Sequence, residues 1–412
     1  MMGAQERKDS RKWIVLFCAV YFISYLVRHC YAAALVEIIS DLNVTRKTAG
    51  IALTGSFITY GVGQFISGYL GDKLPPQKII FWGIISTSII NLLIAGSHNI
   101  TFMNVVWIFS GFFHSLIWSP LVRIVSCTFQ QEESYKHAIQ RVSQCAYAGT
   151  IAIYLLTALF VAVLRWRDIF WLTGAAGLGF AAIWSKQMRY IHTVPTIAKP
   201  TDVAEIHSRE RLTLREWLQI GMFSILLVII GIGCLRDGIS TWMPVYMSDV
   251  FCFNNSISIL TSVVLPVFAI ISVEIASLLA KRSRNVVRST MLLMLFATVL
   301  CGAMYLSYSR VAALDLSFMA LICCCLRGSS FLLTSYLPRF FERYGKVSLI
   351  SGITNGSLYI GSAVATYLLG AIADHRGWGC NIAVWGVVAL ICTGLCSYAA
   401  NRWGSFQSRI NQ

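Results

Sequence analysis

Apolar residues run along this chain in stretches of about twenty, separated by short polar turns, almost from end to end. A helix that spans a bilayer needs roughly 20 mostly apolar residues. The pattern predicts spans near 13–35, 48–71, 78–97, 101–129, 138–164 and 168–187. A second set follows near 218–247, 257–280, 289–309, 312–338, 349–373 and 380–401. The longest polar stretch, 188–217, contains His207, Arg209, Glu210, Arg211 and Arg215 and reads as a cytoplasmic linker. The expected fold is an all-α membrane protein with twelve transmembrane helices. They form a six-helix half over 1–187 and a pseudosymmetric six-helix half over 218–412.

Composition agrees with this pattern. Of the 412 residues, 57% are hydrophobic and 12% charged, against roughly 25% charged in soluble domains. In a soluble protein the net charge of +15 would hint at nucleic acid. Here the topology accounts for it: with the N-terminus inside, 23 of the 33 Lys and Arg fall on inner loops and tails and six on outer loops. That bias is the positive-inside rule, so both termini are expected in the cytoplasm of a multi-pass protein of the plasma (inner) membrane, in contact with lipid. The stretch after Arg11 and Lys12 is too long for a cleavable signal and lacks a small-residue cleavage site. Asn43 and Asn99 begin glycosylation sequons on predicted outer loops. The 13 cysteines have no metal-ligand spacing. No phosphate-binding P-loop or Gly-x-Ser-x-Gly elbow is present, which argues against a pump or a hydrolase. No enzyme activity, catalytic residue, cofactor, metal or nucleic-acid partner is expected, and a monomer is the expected state.

The halves echo each other. Arg28 is answered by Arg236 and Lys73 by Lys281, each 208 residues on, and Trp166 by Trp378 after 212. Gly68, Gly71, Asp72 and Lys73, with Lys78 following, occupy the short loop after the second span. This pattern resembles the loop signature of the major facilitator superfamily, whose two parallel six-span halves are related by an axis along the membrane normal. Glycine permits close helix approach, and the aspartate can take a helix N-terminus or a basic partner. Gly68, Asp72, Lys73 and Arg123 are therefore expected to form a conformational latch. In the second half the loop keeps Lys281 and Arg282 but lacks the aspartate.

Four basic side chains lie more than three residues inside apolar spans and are always charged: Arg28, Arg123, Arg236 and Arg327. A charge at mid-bilayer costs roughly 2.5–3.5 kcal/mol on insertion scales, so such residues face protein or a water-filled cavity. Guanidinium groups stay charged and grip oxyanions through forked hydrogen bonds. Matching arginines in both halves would face one another across a central cavity and imply a phosphate or a carboxylate. Tyr21, Tyr25 and Arg28 lie at i, i+4 and i+7, on one helix face.

The segment Tyr21-Phe-Ile-Ser-Tyr25-Leu-Val-Arg28 resembles the organophosphate–phosphate antiporter family, which includes bacterial glycerol-3-phosphate and hexose-6-phosphate transporters. Ala52–Gly61, Trp118–Arg123, Leu235–Pro244 and Gly352–Tyr359 resemble further segments of it. The resemblance implies that Arg28 and Arg236 bind phosphate and that Tyr21, Tyr25, Tyr60 and Tyr359 line the cavity. Three positions depart from the family: Tyr147 stands where a member has a histidine in span five, His29 where a basic residue follows the first arginine, and Arg327 where a cavity tyrosine stands in span ten. Arg327 would favour a substrate with more than one anionic group.

Among the other charged positions, Arg123 is expected to pair with Glu132 or Glu133 near the inner end of span four. Asp237, about 100° around the helix from Arg236, is expected to offset that charge without sharing its ligand. Glu274 is a candidate proton-coupling carboxylate. The expected function is a secondary transporter of a small organic anion, with inorganic phosphate as counter-substrate and rocking of the halves as mechanism. The alternatives are a proton-coupled carrier of carboxylated sugars and a substrate sensor of the same fold.

Overall fold

A computed structural model describes residues 4–44, 46–191, 214–253, 261 and 264–410. Residues 192–213 of the linker, including His207 and Arg209, lie outside the described residues, as does Asn254 on a predicted outer loop. The chain divides into two compact units, Met1–Arg209 with Phe341–Gly356, and Glu210–Phe340 with Ser357–Gln412.

The first unit contains α1 (Ala4–Ala33), α2 (Leu35–Asp41), α3 (Arg46–Lys73), α4 (Pro76–Gly96), α5 (Ile100–Thr128), α6 (Glu132–Val163) and α7 (Trp166–Ile191). Helix α3 lies along α5, α1 along α6, and α4 against both α5 and α7. Lipid tails are as apolar as leucine, so polar side chains help hold such helices together. Gln64 on α3 donates to the Ser115 carbonyl at 3.3 Å and accepts from the Ser119 hydroxyl at 2.9 Å, both on α5. Local chemistry sets the turns: Pro76 opens α4, where a missing N–H is harmless. The Asn99 side chain caps α5 by accepting from the Thr101 and Phe102 amides.

The second unit begins with α8 (Leu214–Ile220) and α9 (Met222–Phe251), followed by α10 (Val264–Ser283), α11 (Val286–Ser307) and α12 (Ala312–Phe331). Helices α9, α10 and α11 all pack on α12. The tenth predicted span changes helix type rather than ending: at Leu332 the α-helix becomes a π turn, then a 3-10 segment over Leu337–Tyr344. Pro338, without an N–H, prevents a regular α-helical continuation there. The last two predicted spans fall on one run, α13 (Val347–Ile410), broken at Gly377, where φ is 76° and ψ 172°. Only glycine adopts that conformation freely.

Wherever they are described, the predicted spans are helical save for turns at Ala34 and Gly221 and one or two residues at some edges. Among the described residues, nine segments are long and apolar enough to cross a membrane. The repeat seen in sequence has a structural counterpart. Trp166 donates its indole N–H to Asp41 at 3.1 Å in the first unit, and Trp378 donates to Asp249 at the same distance in the second. Asp41 and Asp249 are themselves 208 residues apart. In the first unit Arg167 joins the tie, 2.5 Å from Asp41 and stacked over the Trp166 ring. The Arg167 hydrogen bond holds the Asp41 carboxyl below the usual carboxylate range, against the opposing effect of burial.

Candidate substrate-binding site

Helical spacing brings Tyr21, Tyr25 and Arg28 to one face of α1, as the sequence predicts. The two tyrosine hydroxyls lie 3.5 Å apart, with ring centroids 4.9 Å apart and edge-on. Tyr21 also stacks on Trp118 of α5, centroids 4.7 Å apart. Arg28 lies over the face of Tyr60, its Cζ 3.9 Å from the ring centroid, and 6.0 Å from that of Tyr25. Tyr60 is buried, and its hydroxyl accepts from the Asn355 amide at 3.4 Å. His29 flanks Tyr25 at 5.4 Å. Tyr147 is half-buried on α6 in the same unit. The arrangement is an aromatic wall with one permanent cation resting on it.

Sequence reasoning missed one member of this cluster. His114 of α5 is buried, 3% exposed, with its ring 6.1 Å from Tyr25 and 6.0 Å from Tyr60. A signal was available: His114 lies four residues before Trp118, on the helix face that meets Tyr21.

The second unit holds the other cluster. Arg236 donates through Nε and Nη2 to both oxygens of its neighbour Asp237, at 2.8 and 2.6 Å, and through Nη1 to Ser330 at 3.2 Å. Its side chain is 13% exposed. Asp237 therefore takes part of the fork itself, where sequence reasoning had it point away. The guanidinium is long enough to curl back over the adjacent carboxylate despite the 100° between their Cβ directions. Asp237 also accepts from Ser362 at 2.5 Å. The Tyr359 ring centroid is 5.9 Å from the Arg236 Cζ. Arg327, one turn before Ser330 on α12, lies within electrostatic reach of Asp237. Glu274 is half-buried on α10 in this unit.

The loop motif has its own geometry. Asp72 accepts from the backbone amides of Ser348 at 2.9 Å and Leu349 at 2.7 Å, in the first turn of α13. Gly68 makes this approach possible, since a Cβ there would lie 2.8 Å from the Ser348 carbonyl oxygen and 2.9 Å from the Gly352 Cα. Arg123 lies 3.9 Å from Asp72 and donates to the Gly71 carbonyl. This corrects the expected partner: Arg123 meets Asp72, whereas Glu132 pairs with Lys136 one turn on. Lys73 turns aside to Tyr69. Among the described residues no cluster of His, Cys, Asp or Glu could hold a metal ion.

Long apolar helices, repeat-related halves and intramembrane arginines among tyrosines define a multi-pass membrane transporter rather than an enzyme. The chain belongs to the Major Facilitator Superfamily, whose sequence profile matches residues 17–366. A probable hexose phosphate transport protein of Chlamydia trachomatis is 22% identical over 396 residues, covering 87% of this chain and 84% of its own. The membrane sensor protein UhpC of Salmonella typhimurium is 24% identical over 60% of this chain and 59% of its own. A glycerol-3-phosphate transporter of Bacillus subtilis is 22% identical over 62% and 61%. Among solved structures, the superfamily transporter FucP superposes with a TM-score of 0.69 at 13% identity, over 94% of this chain and 98% of its own. That likeness establishes the fold.

Proposed function

We propose that this protein carries an organophosphate across the membrane in exchange for inorganic phosphate, with Arg28 and Arg236 as the phosphate-binding pair. The observation that carries this reading is the setting of the two arginines. Each half supplies one, 208 residues apart, within an apolar span and beside a tyrosine of its own unit. A guanidinium on an aromatic face is partly desolvated, and an oxyanion of fitting geometry can draw it away. The relatives named for hexose phosphate and glycerol 3-phosphate support a phosphorylated substrate. Tyr21, Tyr25, Tyr60 and Tyr359 form the wall, His29 and Tyr147 flank the first arginine, and Arg327 adds charge near the second.

In this reading the halves 1–187 and 218–412 rock about the bound anion, and the 188–217 linker joins them in the cytoplasm. Gly68, Asp72, Lys73 and Arg123 act as a latch on the start of α13, and a single chain is the working unit. Labels placed on the linker should be shielded from outside intact cells; labelling there from outside would reverse the orientation.

The test is exchange of radiolabelled inorganic phosphate by purified protein in liposomes. Arg28→Lys and Arg236→Lys keep the charge but lose the fork. Loss of a desolvated charged contact often amounts to about 2–5 kcal/mol, roughly thirtyfold or more in affinity. If alanine at both positions leaves phosphate exchange intact in folded protein, the reading fails. A second reading, a substrate sensor, draws on the similarity to UhpC. Phosphate binding without exchange in liposomes would select it.

A further inference from the structure

A neutral imidazole carries one N–H and one lone pair, and a buried polar atom almost always finds a partner. The Nδ1 of His114 is buried and has no hydrogen-bond partner among the described residues. Its ring lies about 6 Å from both the Tyr25 and the Tyr60 rings. Leaving such a group unsatisfied costs roughly 1–3 kcal/mol. A site given over to packing would be filled more cheaply by phenylalanine or leucine. The same wall carries Arg28, on the face of Tyr60. Arg28 and His29 are the charged and titratable groups that act electrostatically on His114.

We infer that His114 is a further substrate-binding residue, whose Nδ1–H donates to an oxygen of the phosphate held by Arg28. The inference rests on the phosphate-binding role proposed for Arg28. Tyr60 links the two groups. The guanidinium lies on its ring, and the imidazole lies 6.0 Å from the same ring, tilted by 34°. When an oxyanion draws the guanidinium away, the ring is freed to shift and Nδ1 becomes reachable. His114 then reads the phosphate from α5 while Arg28 reads it from α1. A donor of fixed direction beside a fork discriminates between oxyanions of different shape, because a planar carboxylate cannot meet both as a tetrahedral phosphate can. Specificity for phosphate over carboxylate would thus reside in a residue that is not an arginine.

The experiment uses the full chain in nanodiscs, with inorganic phosphate and acetate as probes. Asparagine places an amide N–H near the position of Nδ1; glutamine places it nearer Nε2. Relative to the native protein, His114→Ala and His114→Gln should bind phosphate roughly tenfold more weakly, as for a lost hydrogen bond to a charged group. His114→Asn should recover most of that loss, and acetate binding should barely change in any variant. Arg28→Ala serves as the control for the parent reading. If Arg28→Ala abolishes phosphate binding while all three His114 variants bind as the native protein does, His114 is not a ligand and the arginine reading stands. If Arg28→Ala also binds normally, the parent reading fails with it. A variant that does not fold leaves the second measurement: in protein carrying 15N-labelled histidine, phosphate should move the Nδ1 resonance of His114, identified by its loss in His114→Asn. A resonance unmoved by saturating phosphate overturns the inference.

Discussion

Removing the Asp72 carboxylate tests the loop motif where its geometry is most definite. The first amides of any helix lack intrahelical acceptors. In α13 two of them, at Ser348 and Leu349, are met by Asp72 at 2.9 and 2.7 Å. A side-chain cap contributes typically about 1 kcal/mol, and a carboxylate at the positive end of the helix adds about 0.3–1 kcal/mol more. The Arg123 contact, at 3.9 Å, adds little to this. Asp72→Ala should therefore cost about 2 kcal/mol, and Asp72→Asn, which retains one acceptor, about half of that. Hydrogen exchange of the Ser348 and Leu349 amides reads the effect directly. With alanine they should exchange roughly thirtyfold faster, while amides in the middle of α5 keep their protection. Unchanged exchange at Ser348 and Leu349 would refute the capping argument. Faster exchange with undiminished phosphate transport would keep the cap and remove the latch.

Two further outcomes are expected. Asp41→Asn should destabilise the protein by less than about 1 kcal/mol at pH 7, read as a slightly lower melting temperature, because Asp41 is 45% exposed and its pair with Arg167 is partly screened. Since the folded carboxyl titrates below its ordinary value, its stabilisation is present above about pH 4 and fades as pH falls through the lowered value, so variant and native protein should converge in acid. Arg327→Tyr should shift preference toward singly phosphorylated substrates, measured by competition against phosphate exchange; an unchanged profile with poorer folding would make Arg327 structural.

The spans, the repeat and the α1 cluster were legible in sequence because each rests on a period: about twenty apolar residues, an offset near 208, and the i, i+4, i+7 spacing of Tyr21, Tyr25 and Arg28. Long-range pairing was legible only in part: the loop motif gave Asp72 a helix N-terminus or a basic partner, but not which helix. Arg123 is close in sequence to Glu132 and Glu133, yet it meets Asp72, brought near by the packing of α3 on α5. His114 was passed over because a lone polar residue in an apolar run says nothing about which rings surround it. That Asp237 offsets Arg236 was legible, but their direct hydrogen bonding was not, because helix geometry places Cβ atoms, whereas a guanidinium several bonds further out can return to its neighbour.

That last pair bears on how the chain reaches the bilayer during synthesis. Isolated arginine and aspartate each disfavour entry of a helix into lipid by roughly 2.5–3.5 kcal/mol. Arg236 and Asp237 are adjacent and joined by two hydrogen bonds, so α9 can leave the translocon as a self-neutralised segment, needing no other helix to compensate its charge. The two residues beside Arg28, Val27 and His29, offer no carboxylate. In helix α1 the aromatic face on which Arg28 rests belongs to another helix, α3. Insertion should therefore be harder for α1 than for α9, and a carboxylate placed next to Arg28 should ease it at the expense of the anion binding proposed for that residue.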